Sequence, residues 1–272
     1  ARGGIVREDA SRYQVKLHLG GDRTAPDWET NVVGPAAVYP QTTVNIVVGG
    51  KTLFVLDQSN RLKWQTTLNY PVAGRGSYFG NDGDAARSGL GPLGERGDTL
   101  YAFDEGVLSA FDLATGNARW RLPSVGVSGL FFDDDGKLYV NTTTASPEKI
   151  KFSKQIDVND RTDDVVIKLD ARTGREIWKH AVGGKLAYLS GKYIYTMSYL
   201  GPLDDNEELS REMVATGAQT KPYLQLRRLN PKNGRVLWDY YDPHGPLDVK
   251  IHDITFQVVL KKEVEVLKFM SF

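Results

Sequence analysis

The chain has 272 residues, with 34 basic and 34 acidic side chains and no cysteine. Zero net charge without a basic block argues against a nucleic-acid partner, which normally requires a positive face. The lack of cysteine excludes disulfides, thiol nucleophiles, C-x-x-C-H haem attachment and cysteine-based zinc or iron–sulfur sites. No run of 18 apolar residues is present, so no membrane-spanning helix is predicted.

The N-terminal region predicts one strand before the first tryptophan. The chain begins with Ala1 and not with Met, which suggests that a leader or an upstream portion has been removed. Residues 13–19 alternate apolar and polar side chains, as a half-buried strand does. Trp28 follows, directly after Asp27.

From residue 45 onwards, short strand-like segments recur in pairs separated by turn residues. No segment has a convincing helical period, so each region between tryptophans predicts about four antiparallel strands. These strand candidates are residues 45–48 and 53–56, 99–103 and 106–111, 129–132 and 137–140, and 186–189 and 192–195.

A repeat precedes three of the five tryptophans. Ala110–Trp120, Lys168–Trp178 and Arg228–Trp238 align without gaps, and a shorter copy, Val55–Trp64, lacks the glycine. The pattern is Asp or Asn, two variable residues, Thr or Asn, Gly, three variable residues and Trp. Its structural positions are Asp112, Gly116 and Trp120; Asp170, Gly174 and Trp178; and Asn230, Gly234 and Trp238.

Each repeat position has a physical reason. The Asp or Asn side chain can accept backbone N–H groups two or three residues later and so close a turn. The glycine supplies the positive φ that a hairpin with a G1 bulge requires. A tryptophan at the end of the second strand offers a large flat surface to a neighbouring sheet. The repeat therefore predicts hairpins whose sheets stack on one another.

The segment Ala110–Trp120 resembles the tryptophan-docking repeat of quinoprotein-like (PQQ-repeat) β-propellers. It is closer to the cofactor-free outer-membrane assembly type than to the dehydrogenases. The resemblance implies an all-β, single-domain propeller over residues 1–272, with four-stranded antiparallel blades. The small first residue of the pattern is present only at Ala110, because Lys168 and Arg228 replace it in the other copies.

The tryptophan intervals predict about five blades. The tail offers three strands, at residues 247–251, 255–260 and 264–269, and the head offers one. Together they would make a blade shared by the two termini, which leaves no open sheet edge. The alternative is the C-terminal part of a larger ring.

No catalytic residue and no cofactor are predicted. The dehydrogenases of the family hold PQQ over a Ca²⁺ ion bound by Glu, Asn and Asp. Those positions cannot be placed on this sequence, so binding of PQQ with Ca²⁺ is only the alternative prediction. Asn81, Asp82 and Asp84 could supply oxygens to Ca²⁺, but the loop lacks the bidentate acid of a calcium loop. The four histidines show no metal-ligand spacing.

The long segment from Ala73 to Gly94 has the composition of a binding loop. Glycines give it freedom, arginines suit anions and aromatic residues suit stacking. A second insertion, at residues 146–164, mixes Lys and Asp without an apolar pattern. The acidic insertion at residues 204–212 has a helical composition and predicts a solvated excursion. A glycosylation sequon begins at Asn141. The predicted binding residues are Arg75, Tyr78, Phe79, Asp82 and Arg87.

The sequence therefore predicts a non-catalytic binding or scaffold propeller, which presents loops to a protein, peptide or glycan. The resemblance and the missing Met place it in the periplasm or outside the cell. The rival interpretation is a PQQ-dependent oxidoreductase. A lyase or hydrolase on a propeller would need clustered His, Arg and acidic residues. No oligomeric state is predicted.

Overall fold

The computed structural model describes residues 2–7, 12–18, 25–34, 36–68, 93–104, 107–123, 127, 129–143, 164–190, 192–200, 223–243, 248–252, 255–259 and 264–268. Within these ranges every regular element is a β-strand, and the strands form six antiparallel sheets. Four sheets have four strands and two have three. The expected all-β fold built of four-stranded antiparallel sheets is confirmed.

The first compact unit, residues 1–129 and 172–174, contains three sheets. In each sheet the strands lie side by side in chain order. Sheet 1 consists of β1 (Arg2–Arg7), β2 (Arg12–His18) and β3 (Trp28–Val33); sheet 2 of β4 (Ala36–Pro40), β5 (Val44–Gly49), β6 (Thr52–Asp57) and β7 (Leu62–Thr67); and sheet 3 of β8 (Leu93–Arg96), β9 (Thr99–Phe103), β10 (Val107–Asp112) and β11 (Ala118–Pro123).

The second unit, residues 130–171 and 175–272, contains the other three sheets with the same strand order. Sheet 4 consists of β12 (Gly129–Phe132), β13 (Lys137–Thr143), β14 (Asp164–Asp170) and β15 (Glu176–Ala181); sheet 5 of β16 (Lys185–Ser190), β17 (Tyr193–Leu200), β18 (Tyr223–Leu229) and β19 (Val236–Asp242); and sheet 6 of β20 (Asp248–His252), β21 (Thr255–Val259) and β22 (Val264–Lys268).

The two ends of the chain form more strands than the sequence predicted. The head contributes three strands and not one, because β1 pairs in register with β2 from Arg2 opposite His18 to Arg7 opposite Tyr13. The tail contributes its three expected strands as a separate sheet. Among the described strands, the termini therefore form two three-stranded sheets. The glycines and charges of β1 hide the alternation that would have predicted it.

The four-stranded sheets share one plan. In each, the last strand carries its tryptophan as the third residue: Trp64, Trp120, Trp178 and Trp238. A β-bulge in the pairing of the last two strands falls at the residue just before each tryptophan. The bulge is therefore displaced from the glycine, where the sequence predicted it. Trp28 differs from the other four because it is the first residue of β3.

The core lies between the sheets and is built by the inner strands. β5 and β9 are buried along their whole length, which explains why they read as continuous apolar runs and not as alternating ones. In the first unit, one apolar cluster joins residues of sheets 2 and 3, and another joins sheets 1 and 2. In the second unit, equivalent clusters join sheets 4 and 5 and sheets 5 and 6.

Candidate functional site

The repeat turns close as the sequence predicted. In sheet 3 the Asp112 carboxylate accepts hydrogen bonds from the backbone N–H groups of Ala114 (3.0 Å) and Thr115 (2.9 Å). The Gly116 N–H donates to the Asp112 carbonyl at 2.8 Å, and Gly116 has a φ of +76°. Asn230 replaces the acid in sheet 5, and its side-chain oxygen accepts the Lys232 N–H at 2.9 Å. The positive φ expected of the repeat glycine is confirmed.

Each of three tryptophans packs against the repeat turn of the sheet that follows it. The Trp64 Nε1–H donates to the Leu113 carbonyl at 3.0 Å, and the Trp178 Nε1–H donates to the Pro231 carbonyl at 3.1 Å. A Cβ atom added to the turn glycine would lie 2.6 Å from the indole ring in all three cases. The pairs are Trp64 with Gly116, Trp120 with Gly174, and Trp178 with Gly234. The glycine is thus required both for its φ and for the missing side chain.

Sheet 2 shows what happens when that tryptophan is absent. The preceding strand β3 has Thr30 at its third position, and Trp28 contacts Phe54 edge-on, 5.4 Å between ring centroids. The turn of sheet 2 has Asn60 in the left-handed region, with a φ of +59°. Its side-chain oxygen accepts a hydrogen bond from Asn45 Nδ2 at 2.9 Å. The turn still needs a left-handed residue but has room for a side chain, so asparagine replaces glycine.

The acids of the repeat pair with cations at different places in their sheets. Asp57 pairs with Arg61 four residues later, at 2.9 Å. Asp112 pairs with Arg119 on β11, at 2.6 Å, and Asp170 pairs with Lys137 on β13, at 2.9 Å. No sequence pattern links these cations, because one lies in the turn itself and the other two reach their acids from different strands.

Arg119 joins two turns of sheet 3 and sets the acid sensitivity of that edge. Its hydrogen bonds lower the pKa of Asp98 and the pKa of Asp112 from 3.8 to about 2. A lowered pKa in the folded state means that the ion pairs stabilise the protein above pH 3.8 and that this stabilisation is lost as the pH falls toward 2. Both acids are at the surface, so we expect a modest effect.

We therefore expect Arg119→Met to make the free energy of unfolding less dependent on pH between pH 4 and pH 2. Between pH 4 and pH 2 the urea midpoint of the wild type should fall more steeply than that of the variant, as measured by circular dichroism. Arg121→Met is the matched control on the same strand, because Arg121 is exposed and forms no ion pair with Asp98 or Asp112. Parallel pH profiles for the wild type and Arg119→Met would contradict this assignment.

Lys168 occupies the first position of the repeat, where Ala110 is small, and its contacts explain why a long side chain fits there. Its Nζ lies 4.9 Å from the centre of the Tyr139 ring and 3.7 Å from Asp133 Oδ2, and it donates to the Pro231 carbonyl at 3.1 Å. The Tyr139 hydroxyl donates to the same Asp133 oxygen at 3.2 Å. Burial first, and then the Asp133 charge, raise the pKa of Tyr139. The long side chain thus ties sheet 4 to the turn of sheet 5.

Exposed apolar side chains concentrate on the outer strand of sheet 5. Val236, Leu237 and Tyr241 are 47%, 55% and 56% exposed. Asp239 lies between the last two and is held by Arg227, whose Nε is 3.3 Å from Asp239 Oδ2. We call Val236, Leu237, Asp239 and Tyr241 the β19 surface. The sequence alone does not indicate this surface, because the segment matches the repeat and its apolar residues suggest core positions.

The predicted loop residues Arg75, Tyr78, Phe79, Asp82 and Arg87 lie outside the described residues, as do Asn81 and Asp84. So do residues 146–163 of the second insertion and the acidic segment 204–212. The bordering strands β7 and β8 show where the first loop leaves and rejoins its unit.

The sequon at Asn141 lies in the interior of the second unit. Asn141 is 4% exposed, and its side-chain oxygen accepts the Leu186 N–H at 3.0 Å. In the folded chain this side chain is therefore used to hold β16 next to β13, and it is closed to a glycosylating enzyme.

Three of the histidines lie on described strands. His18, His180 and His252 lie on β2, β15 and β20, and the ring centroid of His180 is 6.3 Å from that of Trp178. Within the described ranges, no three His, Asp or Glu side chains come close enough to hold a metal ion. In the same ranges no helix has the length and apolar character needed to cross a membrane.

Comparison with known proteins identifies one family. The family model described as outer membrane protein assembly factor BamB matches residues 18–145 and 104–268. No curated protein matches the chain by sequence.

Solved structures resemble the chain at low sequence identity. BamB from Moraxella catarrhalis is 16% identical, covering 97% of this chain and 81% of that chain with a TM-score of 0.41. Hsv2 from Kluyveromyces lactis is 12% identical, covering 95% and 68% with a TM-score of 0.45. The WD40 domain of Pan2 from Neurospora crassa is 13% identical, covering 95% and 69% with a TM-score of 0.41.

Proposed function

The chain belongs to the family of the outer membrane protein assembly factor BamB, and on that ground we propose that it is a non-catalytic scaffold in outer-membrane protein assembly. Its fold is the all-β propeller with four-stranded antiparallel blades. The observation that carries the proposal is the family match, which extends over residues 18–268 and includes all four of the four-stranded sheets.

A scaffold acts by rigid presentation, and the repeat geometry supports this role. Each tryptophan held against the next turn fixes one sheet relative to its neighbour within a unit, so surface side chains are positioned without a conformational change. The β19 surface supports a protein partner, because contiguous exposed apolar side chains mark interaction sites. The segment with Arg75, Tyr78, Phe79, Asp82 and Arg87 is a second proposed contact, on its composition alone.

The proposal places the protein in the cell envelope, on the periplasmic side, as a component without PQQ. Support for this location comes from the family alone. The oxidoreductase alternative would need a Glu, Asn and Asp set that holds Ca²⁺ under PQQ, and those positions cannot be placed on this sequence. The number of blades and the closure of the ring stay predictions.

Gene deletion in the source organism tests the proposed role. We expect deletion to lower the amount of folded β-barrel proteins in the outer membrane, with recovery when the wild-type gene is restored. The purified protein should show an unchanged thermal midpoint after addition of PQQ with Ca²⁺. Normal outer-membrane protein levels after deletion, or a raised midpoint with PQQ-dependent dye reduction, would overturn the proposal.

A further inference from the structure

We propose that the outer edge of β19 is a site of strand addition, where an extended segment of a protein partner pairs with the sheet and presents apolar, basic and apolar side chains at every second residue. This inference rests on the proposed scaffold function, because it names the manner in which one partner binds. The proposed site lies along the outer edge of sheet 5.

The position of β19 leaves one side available. Sheet 5 has the order β16, β17, β18, β19, so β19 is an outermost strand, and no other described strand pairs with its outer side. β19 has seven residues, whereas β7, β11 and β15 each have six. A long edge strand is a template for main-chain pairing with another chain.

The same chain supplies an internal comparison, because four outer strands occupy the same place in their sheets. The residue before the tryptophan is a cation in the first two, Lys63 and Arg119, and apolar in the others, Ile177 and Leu237. The residue after the tryptophan is Gln65, Arg121, Lys179 or Asp239, in chain order.

Cations on an edge strand oppose the addition of another strand, since pairing would bury their charge. β7, β11 and β15 each carry at least one Lys or Arg, and β11 also ends in Pro123, which has no N–H to donate. β19 carries neither Lys, Arg nor Pro. Of these four outer strands, β19 is therefore the one without Lys, Arg or Pro to oppose the addition of another strand.

The side chains of the β19 surface define the chemistry of the partner. Leu237, Asp239 and Tyr241 follow each other at every second position, as apolar, acidic and apolar. Asp239 keeps 46% of its side chain exposed although Arg227 contacts it. Cross-strand pairs favour opposite charges and apolar neighbours, so the complement is an apolar–basic–apolar strand. A second copy of β19 is disfavoured, because it would bring more acidic and no basic side chains to the edge.

A designed peptide tests the proposal with the whole chain. The probe is a labelled eight-residue threonine peptide with capped ends that has valine at its second and sixth residues and lysine at its fourth, so that one face presents valine, lysine and valine. Its binding is followed by fluorescence anisotropy. We expect saturable binding to the wild type and at least tenfold weaker binding to Leu237→Lys. Ile177→Lys is the matched control, because Ile177 is the exposed bulge residue of sheet 4. It should bind the probe like the wild type.

Two altered probes separate strand addition from other modes of binding. N-methylation of every residue removes the N–H groups along both edges of the peptide, and we expect it to abolish binding. The same peptide with glutamate in place of its lysine should bind at least tenfold more weakly than the lysine peptide. Because Ile177 and Leu237 are exposed, both lysine variants should keep the wild-type circular dichroism and unfolding midpoint.

Equal binding of the N-methylated probe, equal loss in both variants or absence of binding to the wild type would each overturn strand addition. Deletion of the gene tests the scaffold role separately. Reduced outer-membrane protein levels after deletion, together with any of these results, would overturn the site and leave the scaffold function standing.

Discussion

Gly116→Ala is expected to destabilise the first unit by about 3–4 kcal/mol, because the new methyl group meets two obstacles at once. Gly116 has a φ of +76°, which costs an L-residue about 1–2 kcal/mol. The added Cβ would also lie 2.6 Å from the Trp64 ring, so the indole must leave its place against the turn. The shift of the urea midpoint, followed by circular dichroism, measures the effect.

Gly97→Ala is the matched control in the same sheet. Gly97 has a φ of +59°, but a Cβ there would meet nothing within 4 Å. It should therefore cost only the backbone strain, about 1–2 kcal/mol. The difference between the two variants isolates the contact with the tryptophan.

A double-mutant cycle checks the cause. In a Trp64→Leu background, Gly116→Ala should cost about as much as Gly97→Ala, since the clashing ring is gone. Equal effects of the two glycine replacements in the wild type would contradict the role assigned to the close approach, and so would a cycle without coupling.

Asp133→Ala is expected to destabilise the second unit by about 3 kcal/mol, because it leaves a largely buried cation without its counter-charge. The side chains of Asp133 and Lys168 are only 7% and 12% exposed. The replacement also removes the acceptor of the Tyr139 hydroxyl and of the Lys137 N–H, which donates to Asp133 at 2.7 Å. Urea unfolding at neutral pH measures the loss.

Two comparisons give this prediction its control. Asp134→Ala changes an exposed acid in the same turn and should alter stability by less than about 0.5 kcal/mol. Adding Lys168→Met to Asp133→Ala should recover part of the loss, because the isolated charge is then absent. A loss as large for Asp134→Ala, or no recovery in the double variant, would show that the buried pair is not the cause.

Much of the fold was predictable because its signals are local. The turns of the repeat depend on a side-chain acceptor and a left-handed residue within five positions, and the structure has both at Asp112 and Gly116. The strands β5, β6, β9 and β10 were predicted for the same reason. β4 and β8 were missed, because Pro40, Gly94 and Arg96 weaken the strand pattern.

The candidate site was less predictable. The predicted loop residues lie outside the described ones, so they stay a prediction. The β19 surface was missed because exposure depends on what a neighbouring strand covers, and apolar residues next to a repeat tryptophan read as core. Leu237 is such a residue: the bulge before Trp238 brings it to the surface.

The sequence by itself determined where the repeat turns lie and that Gly116, Gly174 and Gly234 take the left-handed conformation. Only the tertiary structure decided which cation meets each acid, why Lys168 can replace a small residue, and why Asn60 can replace glycine. The physical reason is range: a turn is governed by bonds within a few residues, whereas the room for a side chain and the partner of a charge are set by strands distant in sequence.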